Sequence, residues 1–95
     1  MNKVFEPNAS ATLAVSTTSA EVTTLSATDN QVRLYNGTTG VVFVRWGTTA
    51  QTAVATDMAI APGATEVFTK NNSTRLAAIM ASGSGSLYIT TGTGE

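Results

Sequence analysis

The sequence predicts an all-β chain: a small antiparallel β-sandwich, jelly-roll-like, of seven to eight short strands with no substantial helix. Three observations predict it. Apolar residues fall in short blocks that alternate with polar ones, the period of a half-buried strand. Those blocks recur about every 8–12 residues with turn residues between them, the spacing of a sandwich or small barrel. Eighteen Thr and eight Ser stand among 95 residues, and β-branched Thr and Val are stiff at χ1 and disfavour helix. With no helix to carry a crossover, the strands must pair antiparallel.

Residues 1–10 read as an N-terminal arm, because Pro7 removes an amide donor and biases Glu6 to an extended conformation. A single domain follows over residues 11–91, with a tail at 92–95. In the first strand, residues 11–16, Leu13 and Val15 share a face. In 20–26, Val22 followed by Leu25 breaks the alternation and suggests a bulge. In 31–36, Val32 and Leu34 oppose Arg33 and Tyr35. The Asn36-Gly37-Thr38-Thr39-Gly40 turn, written for positive φ, then leads into 41–46. There Val42, Val44 and Trp46 oppose Val41, Phe43 and Arg45, and residues 31–46 together read as a hairpin.

Residues 47–56 are the longest loop, and 58–61 a short strand. Ala61-Pro62-Gly63-Ala64 places Pro second and Gly third, the type II preference. In 65–69 Val67 opposes Glu66 and Phe68, and Lys70-Asn71-Asn72-Ser73 turns the chain. In 75–81 Leu76 and Ala78 face away from Ala77, Ile79 and Ala81. Ser82-Gly83-Ser84-Gly85 is a further turn, and 87–91 closes the fold with Leu87 and Ile89 opposite Tyr88. The predicted core is thin, and small domains of this kind gain stability by oligomerising.

Composition excludes much chemistry. Without Cys or His there is no disulfide scaffold, no Cys/His zinc site, no thiol nucleophile and no Ser-His triad. Five scattered cations against six acids do not make a nucleic-acid patch. No apolar run approaches the ~20 residues that span a bilayer, and no secretory h-region is visible, so a cytoplasmic origin is expected. The six acids read as turn and strand-edge charges, not a glycosidase pair. Asp29-Asn30 and Asp57 lack the spacing of a Ca²⁺ loop. The Gly83 and Gly92 segments lack the helix a phosphate cradle needs. The chain is therefore read as a non-enzyme with no metal and no cofactor.

The candidate functional residues are partner contacts. Val4 and Phe5 place two apolar groups in the polar arm, ready for a neighbouring subunit. Arg33, Tyr35, Val41, Phe43 and Arg45 share the outward face of the 31–46 hairpin, and exposed apolar side chains on a strand mark a partner. Tyr35, Tyr88 and Trp46, with the arginines, offer an alternative: an aromatic platform for a sugar.

Three stretches carry a family resemblance: "QVRLYNGTTGVVFVRWGT", "MAIAPGATEVFTK" and "RLAAIMASGSGSLYITTGTGE". They resemble small proteins encoded among the head genes of tailed phages and prophages, over about two-thirds of the chain. The matched patterns are structural and carry no catalytic residue. The resemblance implies a capsid decoration, or cement, protein: a β-sandwich that binds the outside of the phage head and stabilises it. Its partners would be the major capsid protein and itself, as dimer or trimer, with neither nucleic acid nor membrane. It would be made in the host bacterial cytoplasm and reside in the virion. Alternatives are another virion part, such as a head–tail connector, tail or fibre component, or a carbohydrate-binding β-sandwich module.

Overall fold

The structure, a computed structural model, describes residues 5–94. Eight strands follow in order: β1 (Glu6–Val15), β2 (Ala20–Val22), β3 (Gln31–Asn36), β4 (Val42–Gly47), β5 (Met58–Ile60), β6 (Thr65–Thr69), β7 (Arg75–Met80) and β8 (Gly85–Thr93). They form two four-stranded antiparallel sheets, A in the order β1-β8-β3-β6 and B in the order β2-β7-β4-β5.

The pairings explain the order. β1 pairs with β8, β2 with β7, β3 with β6 and β4 with β5. The chain is thus one long hairpin whose tip is the β4–β5 loop. Rolling that ribbon brings β8 beside β3 and β7 beside β4. The result is a jelly-roll-like sandwich, in which each strand buries one face against the opposite sheet.

Alternation supplies the core. β1 contributes Leu13 and Val15, β3 Val32 and Leu34, and β8 Leu87 and Ile89. From sheet B come Val42, Val44, Ile60, Leu76, Ala78 and Met80, and Leu25 closes one end. The expected type II turn is present: Gly63 has φ 76°, and the Ala64 amide donates to the Ala61 carbonyl at 3.1 Å. Asn71 takes a positive φ of 54° in the turn after β6, where a short polar side chain tolerates it.

Several expectations are corrected. Residues 31–46 are not a hairpin: β3 lies in sheet A and β4 in sheet B. The cause is Asn36, wholly buried, whose carboxamide organises a corner between the sheets, and neither it nor Gly37 takes a positive φ. Residues 6–10, expected in the arm, form the first half of β1 and pair with β8 as far as Thr93, with a bulge between Pro7 and Ala9. Thr93 and Gly92, expected in the tail, belong to that ladder. In β6 it is Phe68 that packs on the core, while Val67 is exposed. Trp46 is half-buried at the rim of the core, its ring centroid 5.2 Å from that of Phe68.

Candidate functional site

The sandwich has two outer faces, and they differ. On sheet B the β4–β5 loop, residues 48–57, crosses the outer face. The Gln51 amide donates to a Glu21 carboxylate oxygen at 2.6 Å, the Ala53 amide to the Ser19 hydroxyl at 2.8 Å, and Arg45 to the Thr52 carbonyl at 3.4 Å. Ala53 is buried in that loop. Ala77, opposite Glu21 and Arg45 in the register, is wholly buried although its side chain points away from the core. Asp57 fastens the loop's end: it accepts the Val54 amide at 2.8 Å and pairs with Arg45 at 3.2 Å.

Among the described residues sheet A has no such cover. Two side-chain rows cross its outer face. One runs Thr12, Tyr88, Tyr35, Thr65 and the next Ser10, Thr90, Arg33, Val67. Tyr35 and Tyr88 sit directly opposite on β3 and β8, ring centroids 5.8 Å apart and tilted by 32°. Tyr35, Val67 and Tyr88 are 37%, 46% and 46% exposed. With Arg33 and Thr65 the two rings line a shallow depression. Among the described residues Arg45 and Arg75 pair with Asp57 and Glu21, and Arg33 pairs with no carboxylate. Gly37 lets the Tyr88 ring lie close, since a Cβ there would stand 2.6 Å from Tyr88 Cε2.

The predicted contact residues divide between these faces. Arg33 and Tyr35 lie on the open face. Phe43 and Arg45 lie on the loop-covered face, and Val41 is exposed just before β4. The single shared surface expected of them is therefore corrected: consecutive strands went to opposite sheets, and their outward residues went with them. Phe5 is half-buried, its ring over Gly92 at the end of β8. Val4 lies outside the described residues. Tyr88, Thr65 and Val67 join the site only through the β3–β8 and β3–β6 pairings, whose partners are far apart in sequence. Trp46 is remote from the tyrosines, on the other sheet, which dissolves the three-aromatic platform.

One buried charge was not foreseen. Lys70 is 2% exposed, and its ammonium donates to the carbonyls of Ser26 at 2.5 Å and Ser73 at 2.8 Å, with Asn71 farther at 3.5 Å. Burial pushes its pKa below the ordinary lysine value, and the charge of Asp29 opposes that shift. Asp29, also buried, accepts the Asn8 side-chain amide on both oxygens at 3.2 Å. This cluster clasps the β2–β3 link to the β6–β7 turn. Among the described residues no group of three or more acidic side chains is gathered to hold a metal ion.

The site offers aromatic faces, hydroxyls and a guanidinium with no carboxylate partner among the described residues, the equipment of a contact surface. The chain matches no family model, no curated protein and no solved structure among those compared with it.

Proposed function

We propose that this chain is a structural protein of a tailed-phage virion that decorates and stabilises the outer surface of the head. In this reading its partners are the major capsid protein and further copies of itself, and it is made in the host bacterial cytoplasm. The observation that carries the reading is the inequality of the two outer faces. Sheet B is crossed by the chain's own loop, while sheet A leaves Tyr35, Tyr88 and Val67 in solvent around an Arg33 that has no ion-pair partner among the described residues. Exposed aromatics clustered about an arginine are the composition of an interface hot spot. The strand and turn motifs that resemble phage head proteins supply the identity of the partner.

The test is to add the purified protein to heads lacking it and to image the particles. Copies spread over the shell, with sheet A against the capsid, support decoration. A single ring at one vertex supports a connector instead, and no binding to heads overturns the proposal. The Tyr35–Tyr88 pair beside Arg33 also favours a second reading, a carbohydrate-binding module, because sugar rings stack on aromatic faces. A glycan array on which binding is lost in Tyr88→Ser would support that reading.

A further inference from the structure

Each sheet edge except one is short or charged. β2 and β5 have three residues each, and β6 has five, including Glu66. These are the devices by which natural proteins prevent edge-to-edge pairing. β1 is different. It has ten residues at the edge of sheet A, and among the described residues its backbone partners are all on β8. Its one proline and its bulge sit at its beginning, at Pro7 and Ala9. Beyond them Ala9–Val15 carries no charge, no proline and no irregularity.

We infer that β1 is a self-pairing edge: two copies of this chain join antiparallel through Ala9–Val15 and merge their A sheets into one of eight strands. The occupant is a second copy because the segment is complementary to itself. In an isologous pair each residue meets its counterpart across the two-fold axis. A charge near that axis would face its own kind, and none is present. With the axis at Thr12, the midpoint of the run, Thr12 faces Thr12, Ser10 faces Ala14 and Ala11 faces Leu13. Glu6 then lies beyond the paired segment of the partner copy. The outward hydroxyls already pair in this way within the chain, where Ser10 and Thr90 are 3.1 Å apart. Pairing satisfies the backbone amides along the free side of β1 and carries the Tyr88–Tyr35 row across both copies.

The experiment uses the full chain. Sedimentation should show a concentration-dependent monomer–dimer equilibrium. Thr12 is exposed, so Thr12→Lys and Thr12→Glu should fold normally. Each alone should be monomeric, and an equimolar mixture should regain the dimer. The chain has no cysteine, so Thr12→Cys should cross-link to its own copy on mild oxidation. Ala14→Cys should not, because its counterpart lies beyond the 7 Å Cα separation a disulfide tolerates. A wild type that stays monomeric up to about 1 mM, a Thr12→Lys variant that associates as well as wild type, or equal cross-linking at both positions would overturn the inference. Those outcomes leave the proposed attachment to the head standing, since it uses the face of sheet A and not its edge.

Discussion

The side-chain amide of Asn36, the last residue of β3, donates to the carbonyl of Ile60, the last residue of β5, at 2.8 Å. The bond joins the two sheets at one corner. The same amide reaches the Gly40 carbonyl at 2.9 Å, and the side-chain oxygen accepts the Thr38 amide at 2.9 Å and the Thr38 hydroxyl at 2.6 Å. The Asn36 backbone takes part as well: its amide donates to Ala64 and its carbonyl accepts Gly63. A buried carboxamide with every position filled fixes one arrangement.

Asn36→Ala should therefore cost about 2–4 kcal/mol, because it leaves the Ile60 carbonyl and the Thr38 amide without the carboxamide, while the Thr38 hydroxyl keeps the Gly40 carbonyl at 2.8 Å. Urea unfolding reads this as a lower midpoint at unchanged slope. A loss below ~1 kcal/mol would show that water replaces the carboxamide.

Lys70→Met should cost about 1–3 kcal/mol by orphaning the Ser26 and Ser73 carbonyls. The pH dependence has a definite sign. The folded-state pKa lies below the ordinary value, so between the two the unfolded chain holds more proton. Stability then rises with pH through that alkaline window, and the cost of the buried ammonium is fully present below it. Measured against pH, wild type should gain on Lys70→Met through the window. A constant difference would contradict the lowered pKa.

Trp46→Ala should cost about 2–3 kcal/mol, less than the ~3–5 kcal/mol of a fully buried tryptophan, because the ring sits at the rim. A double-mutant cycle with Phe68→Ala should return a coupling of about 0.5–1.5 kcal/mol from the stacked pair. Zero coupling would mean that the rings are not in contact in solution.

Tyr35→Ser and Tyr88→Ser should each change stability by less than ~1 kcal/mol, the scale of an exposed cross-strand pair, while abolishing attachment to heads. Gly37→Ala should weaken attachment with Tyr88 still present, because the new Cβ displaces its ring. Attachment unchanged in all three variants would remove the face from the interface.

Gly92→Ala should destabilise by about 2 kcal/mol or more, since its Cβ would run into the Glu6 carbonyl of the paired strand. Deleting residues 1–9 should likewise lower the thermal midpoint, because Glu6, Pro7 and Ala9 are paired with β8. A truncated chain as stable as the whole would restore the reading of these residues as a free arm.

Much of the fold was legible in short stretches of sequence. Val32 and Leu34 between Arg33 and Tyr35 announce a strand with one buried face, and that alternation is local. The Pro62-Gly63 turn was readable for the same reason, since it depends on the φ preferences of two adjacent residues. Phe68 packs on the core and Val67 does not, and the sequence leaves that open because a five-residue strand with apolar groups on both faces does not say which face the opposite sheet will cover. Lys70 was not legible as buried, because the carbonyls that receive it come from a turn and from a link more than forty residues earlier.

Taken alone, the sequence determined the all-β class, most strand positions and the inward residues, because side-chain period and turn chemistry act over a few neighbours. Tertiary structure decided which strands pair. A local hairpin at 31–46 closes the shorter loop. The rolled ribbon instead gives β3 and β4 two partners each and buries Val32, Leu34, Val42 and Val44 against the opposite sheet. Only that choice set Tyr35 beside Tyr88, placed Phe43 and Arg45 on the far face, which the chain's own loop crosses, and left β1 as a long edge strand. Apolar burial on this scale outweighs the added loop-closure entropy, which grows only slowly with loop length.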